Sequence, residues 1–223
     1  MNNDPSNDKR RQRRARQQAA VRDEIKSMAR EHMARDGAAA LSLRAVAADL
    51  GLSSAALYYY YPNRDSLITD LIVDAFRAMG AFLASVDIPD ANIAERLERA
   101  MLGYREWAIA HPAEYALLFG TPIPGYQAPA EITAPEAHAA HTVIVNLFAQ
   151  AYAEKRLDPA AVAQPPATVA AHVAQWMEAT GDHIPLPALI AAMHAWAVGH
   201  GLVGLELDHH LQPILGDVAT FYT

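Results

Sequence analysis

Four consecutive tyrosines, Tyr58 to Tyr61, include side chains that could contact a polyanion. A helix spreads consecutive side chains around its circumference, so the four rings cannot all be buried. Phenolic hydroxyls donate hydrogen bonds to phosphate oxygens, and such bonds position a protein on a nucleic acid without reading its sequence. We expect Tyr61, four residues after Leu57, to lie in the core, and Tyr58 and Tyr59 to face outward. Packing in a small domain is the alternative use of all four rings.

A basic stretch near the start of the chain could add charge to the same contact. The segment 9–17, KRRQRRARQ, holds six cations, and residues 1–66 carry a net charge of +4 against −11 for the remainder. A basic N-terminal segment followed by an acidic body (residues 67–223) suggests that the N-terminal segment binds a polyanion and the acidic body does not. We interpret the stretch as a helix extension or arm that reaches phosphates or the minor groove through Arg13 and Arg14. A solvated tail is the alternative.

Composition excludes several other classes of protein. The 223 residues include no cysteine, so neither disulfides nor thiolate metal sites are expected. The polar start is followed by no apolar signal region, and no uninterrupted apolar run approaches the ~18 residues of a membrane span. The sequence therefore predicts a cytoplasmic protein without a membrane partner.

Catalytic and metal-binding patterns are absent from the sequence. It holds no Ser-His-Asp order with an elbow motif, no glycine-rich phosphate loop and no paired helical carboxylates, so we expect no enzyme activity. Ten histidines make a metal worth considering, but the groups around His138 and His141, and around His209 and His210, lack three ligands at suitable spacing. No metal and no cofactor is expected.

Hydrophobic spacing is helical throughout, with abundant alanine and no convincing alternation at period two, which predicts an all-α fold. Caps and breakers divide the chain, because Gly37 and Gly51 suit helix ends, Ser42 and Ser53 suit helix starts, and Pro62 stops a helix. The predicted helices are 14–35, 43–50, 54–60, 64–86, 91–110, 113–119, 136–155, 159–180, 187–206 and 212–222.

Residues 42–61 predict a helix-turn-helix. A short helix, a tight turn at "GLS" and a second short helix form the geometry that sets a recognition helix in the major groove. Small residues at the start of the second helix, Ala55 and Ala56 among them, let it approach base edges, and an alanine methyl can touch a thymine methyl. We expect a flexible basic arm over 1–17, a three-helix DNA-binding domain over 18–66, and a larger helical domain over 67–223.

The stretch "LSLRAVAADLGLSSAALYYYYPNRDSL" resembles the DNA-binding domain of the tetracycline-repressor (TetR) family of transcriptional regulators. The resemblance implies phosphate contacts from Ser42, Tyr58 and Arg64. It also implies that Arg44 and the turn 53–56 lie at the bases; whether Arg44 meets a base or a phosphate is left open. Ser54 stands where the family often has lysine, so the base preference does not carry over. The predicted DNA-binding residues are Arg13, Arg14, Ser42, Arg44, Ser53, Ser54, Ala55, Ala56, Tyr58, Tyr59 and Arg64.

The resemblance also implies that the acidic body dimerises and binds a small molecule. Dimerisation is expected through the helices at about 159–180 and 187–206. Trp196, His200 and Gly201 resemble the Trp-x-x-x-His-Gly class of C-terminal domains in this family. Amphipathic and aromatic side chains are candidates for the ligand site, with core packing as the alternative for each one. They are Met101, Tyr104, Trp107, His111, Tyr115, Phe119, Tyr126, Trp176, Met177, Met193 and His194.

Together these features predict a homodimeric repressor that binds a palindromic double-stranded operator and is released by a small, largely apolar or aromatic effector. A ligand-independent dimeric DNA-binding protein, or an activator, is the alternative.

Overall fold

The computed structural model describes residues 5–222, which form eleven α-helices and two 3₁₀ turns with no strand among them. This confirms the all-α class. The 3₁₀ turns are Ala38–Ala40 and Pro159–Ala161. The helices are α1 (Pro5–Asp36), α2 (Leu43–Asp49), α3 (Ser54–Tyr60), α4 (Arg64–Ser85), α5 (Ile93–Ala110), α6 (Pro112–Phe119), α7 (Ala130–Ala153), α8 (Ala167–Thr180), α9 (Leu186–Leu207), α10 (Gln212–Leu215) and α11 (Val218–Phe221).

The first helix takes in the basic stretch, for which a helix extension or an arm is expected. Helix α1 begins at Pro5 and runs for 32 residues, so the basic stretch 9–16 is helical rather than irregular. Glutamine, arginine and alanine are strong helix formers, and proline is well tolerated at the first helical position. The part of the predicted arm before Pro5 lies outside the described residues.

Three later helices differ from their predicted bounds because of proline and glycine. Helix α7 starts at Ala130 and continues through Pro135, its sixth residue, which removes the backbone hydrogen bond to the carbonyl of Glu131. The helix predicted over 159–180 is broken, and α8 starts only at Ala167, after Pro165 and Pro166. The helix predicted over 212–222 is split at Gly216, whose φ of 67° is left-handed.

Packing divides the chain into two compact units. The first holds the chain up to Ala75 together with Pro112–Thr133, and the second holds Phe76–His111 and the chain from Ala134 onward. Helix α4 contributes residues to each unit. The predicted boundary at 66/67 stays a prediction.

The core of the first unit is built from one face of each of its first helices. Its buried apolar side chains include Ile25, Ala29, Met33, Leu41, Val46, Ala47, Leu57, Tyr61, Leu67, Ile68 and Leu71. Ion pairs join α1 to α4 around this core: Lys26 Nζ lies 2.7 Å and Arg30 Nη2 3.0 Å from Asp74 Oδ2. The first three helices therefore hold a fixed arrangement for the helix-turn-helix.

The second unit packs longer helices closely. A Cβ added at Gly80 of α4 would lie 3.1 Å from the Cα of Ala140 in α7, so these helices approach through small residues. Helix α9 is less buried than its composition suggests. Its length of 22 residues and its mean hydropathy would suit a membrane span, yet only 22% of its most apolar 18-residue window is buried. Its apolar run is interrupted by His194, His200 and Glu206.

Candidate nucleic-acid interface and ligand cavity

The turn between α2 and α3 has the local geometry that its sequence predicts. Gly51 adopts a left-handed φ of 65°, and its N–H donates to the carbonyl of Ala48 at 3.0 Å. Ser53 then caps α3, because its Oγ accepts a hydrogen bond of 3.1 Å from the N–H of Ala56. Glycine supplies the positive φ at no steric cost, and serine satisfies one of the orphan donors at the helix start.

The start of α3 faces solvent. Ser53, Ser54 and Ala55 are exposed and Ala56 is half-buried. Arg44, on α2, is also exposed. Small side chains at this helix start leave its backbone open to a close approach. Such a surface can lie against base edges without steric hindrance.

The tyrosines separate as expected into buried and exposed rings. Leu57 and Tyr61 are each 1% exposed, whereas Tyr58 is 43% and Tyr59 71% exposed. Tyr60 is half-buried, and its ring meets that of Tyr59 edge to face with the centroids 5.2 Å apart. Two phenols are thus available to hydrogen-bond partners outside the chain.

A glutamine that the sequence did not mark holds one of these phenols. Gln18 Nε2 of α1 donates a hydrogen bond of 3.0 Å to the hydroxyl oxygen of Tyr59. The two residues are 41 positions apart in the sequence, so no local spacing points to the pair.

The buried Tyr61 anchors the end of α3 to α1. The guanidinium of Arg22 lies over its ring, 5.2 Å from the centroid, and Arg22 also pairs with Asp70 at 3.5 Å. Burial, with the nearby Asp70 charge as a smaller cause, raises the pKa of the Tyr61 phenol far above its usual range. The ring therefore remains neutral and serves packing.

Ser42 and Arg64 differ in how free their side chains are. Ser42 is exposed at the start of α2, and its hydroxyl makes no capping hydrogen bond. Arg64 Nη2 instead donates to the carbonyls of Ala38 and Ala39, at 3.0 and 2.8 Å. The phosphate contact expected of Arg64 stays a prediction, because the carbonyls of the 3₁₀ turn engage only one nitrogen of its guanidinium group.

A second polar contact joins α1 to α2 inside the first unit. His32 is only 5% exposed, and its Nε2 lies 2.7 Å from Asp49 Oδ2. The contact ties α1 to the end of α2, so His32 fixes the helix-turn-helix by a hydrogen bond as well as by packing.

The second unit contains a cavity of about 430 Å³ between α5, α9 and the end of the chain. Ligand pockets usually fall between 300 and about 1,000 Å³ with mostly apolar walls, so its size suits a small molecule. Met101 and His194 are the two predicted ligand residues that line it. The full lining is Glu98, Met101, Leu102, Arg105, His194, Ala195, Val198, Gly199, Leu202, Val203 and Tyr222.

Polar groups close one wall of this cavity. Arg105 donates two hydrogen bonds to Glu206, from Nε at 2.7 Å and from Nη2 at 2.5 Å, and its guanidinium lies 4.6 Å from the ring centroid of Tyr222. The bonds to Glu206 raise the pKa of Arg105, and burial followed by the Glu206 charge raises the pKa of Tyr222 to about 12. The wall thus holds a neutralised ion pair and a phenol that keeps its proton.

The other predicted ligand residues do not join this site. Within the second unit, Tyr104 is buried with its hydroxyl 2.9 Å from His200 Nδ1, and Trp107 stacks on His111 at 5.3 Å. Trp176 and Met193 are exposed, and Met177 packs on a small apolar cluster.

Three more belong to the first unit, where Tyr115 packs with Phe119 and the Tyr126 hydroxyl meets Thr69 Oγ1 at 3.0 Å. Helical spacing marks apolar faces, but it does not distinguish a core from a cavity wall. The cavity thus takes in two of the eleven candidates, and a ligand role for the other nine stays a prediction.

The Trp-x-x-x-His-Gly residues form part of an aromatic cluster. Trp196 stacks on His200 with ring centroids 5.0 Å apart, and His141 meets Trp196 edge to face at 5.6 Å. Burial, followed by the neighbouring His141, lowers the pKa of His200, so its ring stays neutral near neutral pH. Among the side chains that the structure describes, residues 9–222, no group of three or more histidines, aspartates or glutamates could hold a metal ion.

Comparison with known proteins assigns both halves of the chain to one family. Residues 25–71 match the bacterial regulatory proteins of the tetR family, and residues 97–223 match the tetracyclin repressor-like C-terminal domain. The Trp-x-x-x-His-Gly class stays a prediction.

Individual relatives agree with this assignment. The HTH-type transcriptional regulators Rv1816 of Mycobacterium tuberculosis and Mb1846 of Mycobacterium bovis are each 37% identical over 135 residues, which are 60% of this chain. The matched part spans 56% of each of these regulators.

Solved structures match over a greater length. The protein SCO4313, named as a regulatory protein, is 34% identical and superposes with a TM-score of 0.74 over 93% of this chain and 94% of its own. A tetR-family regulatory protein from Rhodococcus RHA1 is 19% identical, covers 82% of this chain and 83% of its own with a TM-score of 0.55, and shares the fold. With an exposed helix-turn-helix in its first unit and family matches across both units, the chain belongs to the tetR family of bacterial regulatory proteins.

Proposed function

We propose that this chain is a cytoplasmic, homodimeric transcriptional repressor that binds a palindromic operator and is released by a small, largely apolar effector. The observation that carries the proposal is the exposed start of α3 beside Arg44, Tyr58 and Tyr59. A dimer would present two such surfaces, and half-sites one helical turn apart require about 34–36 Å between them.

The division of contacts on DNA follows from the chemistry of each side chain. The turn 53–56 would lie against base edges, while Tyr58, Tyr59 and the basic stretch of α1 would donate to phosphates. Each cation that neutralises a phosphate steepens the dependence of log affinity on log salt by about 0.9. Arg13 and Arg14, both exposed on α1, are proposed to contribute in this way.

Exposed apolar surface on α8 and α9 supports a homodimer. Helix α8 has no buried residue, and α9 leaves Met193 53%, Val198 64% and Leu205 43% exposed. Apolar surface of this kind at a helix pair marks a protein interface or a membrane contact. The family assignment favours the interface, so we place the two-fold axis at α8 and α9, over 167–180 rather than 159–180 for the first of them.

The cavity lined by Met101 and His194 is the proposed effector site. Its ion pair, Arg105 with Glu206, carries no net charge, which favours an uncharged ligand over an anion. Binding there would change the course of α4 through the second unit and so change the spacing of the two recognition helices. By linkage, an effector that weakens operator binding must itself bind the operator complex more weakly.

The sign of regulation separates this proposal from its alternative. A ligand-independent DNA-binding protein would bind its operator with the same affinity whatever compound fills the cavity. An activator would bind in the same way as a repressor but would raise transcription from the adjoining promoter in a reconstituted assay, whereas a repressor lowers it.

Selection from a randomised duplex library, followed by fluorescence anisotropy in a salt series, tests the DNA side. We expect a palindromic site and a Kd that rises steeply with salt. Arg44→Ala should weaken binding about tenfold, either with relaxed base preference or with a salt slope lower by about one. Arg156→Ala, which removes an exposed arginine from the turn that follows α7, is the matched control. Enrichment of no sequence, or equal effects of the two substitutions, would refute the proposal.

A further inference from the structure

The hydrogen bond between Gln18 and Tyr59 has a direction. Gln18 Nε2 donates and the Tyr59 hydroxyl oxygen accepts, at 3.0 Å. An amide nitrogen has no lone pair to accept with, whereas a phenol can both accept and donate. The proton of the Tyr59 hydroxyl is therefore not used in this bond and can be donated to another oxygen.

The surroundings of the ring restrict where that proton can go. Tyr59 is 71% exposed, and Tyr60 meets its ring edge to face with the centroids 5.2 Å apart. Gln18 holds the hydroxyl and Tyr60 supports the ring, so the free donor is oriented on the surface rather than rotating among many positions. An oriented donor loses less entropy when it binds an acceptor than a free one.

We propose that Gln18 is a positioning residue, which holds the Tyr59 hydroxyl so that it donates its proton to a phosphate oxygen of the operator. The inference rests on the proposed function, and it extends that function to a residue that acts through Tyr59. Gln18 also follows the basic stretch 9–16 on the same helix, so its bond ties that stretch to the end of the recognition helix.

The substitution Gln18→Glu tests the direction of the bond. A carboxylate accepts hydrogen bonds and, when ionised, donates none. The Tyr59 hydroxyl would therefore donate its hydrogen bond to the new carboxylate in the variant, and the phosphate would lose this donor. We expect the Kd for the selected operator duplex at 0.15 M salt to rise at least tenfold. Gln18→Met, which keeps the length but neither donates nor accepts strongly, should raise it about threefold by freeing the hydroxyl.

Charge repulsion from the new carboxylate must be separated from the loss of the donor. Gln17→Glu adds the same charge one residue earlier, on an exposed side chain, and measures the repulsion alone. Gln18→Glu combined with Tyr59→Phe measures the charge repulsion a second time, in a protein that lacks the Tyr59 hydroxyl. We expect the effect of Gln18→Glu to shrink at least fivefold in the Tyr59→Phe background, a coupling that a purely structural role would not produce.

The outcomes distinguish this inference from the proposed function. If the wild-type chain binds the operator but Gln18→Glu costs the same with and without the Tyr59 hydroxyl, the positioning role is wrong and the function stands. If the wild type binds no site, both are wrong. Circular dichroism melting of every variant checks that folding is preserved. If Gln18→Glu unfolds, the Kd of Gln18→Met tests the same contact without an added charge.

Discussion

Arg96 and Asp87 form a doubly hydrogen-bonded ion pair that fixes the α4–α5 connection to the first turn of α5. Arg96 Nε donates to Asp87 Oδ1 at 2.9 Å and Nη2 donates to Oδ2 at 2.7 Å, while Nη1 donates to Gln150 of α7 at 2.8 Å. These hydrogen bonds lower the pKa of Asp87 below its ordinary value. One arginine thus joins a loop and two helices of the second unit.

The lowered pKa of Asp87 makes part of the stability depend on pH. Because the folded-state pKa lies below the unfolded value, the stabilisation is present above about pH 4 and is lost as the pH falls through the folded-state pKa. We expect Asp87→Asn to lower the free energy of unfolding by about 1 kcal/mol at pH 7 and to have a smaller effect near pH 3. Urea unfolding at one fixed protein concentration measures both values.

Asp90→Asn is the control for this prediction, since Asp90 is an exposed carboxylate in the same connection. It should change the unfolding free energy little at either pH. A constant difference between Asp87→Asn and the wild type from pH 7 to pH 3 would contradict a role for ionised Asp87.

Ser53→Ala should loosen α3. The substitution removes the acceptor of the Ala56 N–H from a helix of seven residues, and loss of such a cap costs about 1 kcal/mol. We expect faster amide hydrogen exchange at Ala56 and an operator Kd about fivefold higher. Ser54→Ala, at an exposed neighbour that does not cap the helix, should leave the exchange rate unchanged. Equal exchange in the two variants would mean that the cap does not stabilise α3.

Local signals explain why the helix-turn-helix was predictable. Its caps and turn depend on Gly51, Ser53 and Pro62, each of which acts on backbone within a few residues of itself. The helix predicted over 159–180 starts late for an equally local reason, because Pro165 and Pro166 disfavour helical geometry in the residues before them.

Contacts between distant residues explain what was not predictable. Gln18 meets Tyr59 and Arg64 meets Ala38 and Ala39 across 41, 26 and 25 positions, and no period in the sequence marks such pairs. Most residues that line the cavity were not predictable either. Aromatic and methionine side chains at helical spacing are equally suited to a core and to a cavity wall.

Arg64→Ala should reduce stability, because it removes the donor that satisfies two carbonyls of the 3₁₀ turn Ala38–Ala40. Loss of a hydrogen bond costs about 0.5–1.5 kcal/mol, since the carbonyl of Ala38 keeps the N–H of Leu41 as a donor at 3.3 Å and Ala39 is exposed to solvent. We expect a lower midpoint of urea unfolding in the absence of DNA. Arg44→Ala, at an exposed arginine, should unfold at the wild-type midpoint. If Arg64→Ala also unfolds at that midpoint, its bonds to the turn contribute nothing and its role lies in DNA binding alone.

Val198→Asp tests whether α9 lies at the interface between two copies of the chain. Val198 is 64% exposed in the single chain, so a carboxylate there is solvated in the monomer, whereas it would lose solvent in a dimer through α9. We expect sedimentation to change from dimer to monomer, helicity to be retained, and affinity for the palindromic operator to fall more than tenfold because one half-site contact is lost. Ile214→Asp places the same charge at a side chain 80% exposed on α10 and should leave the dimer intact. A dimer that tolerates Val198→Asp but dissociates with Ile214→Asp would move the interface from α9 to the end of the chain.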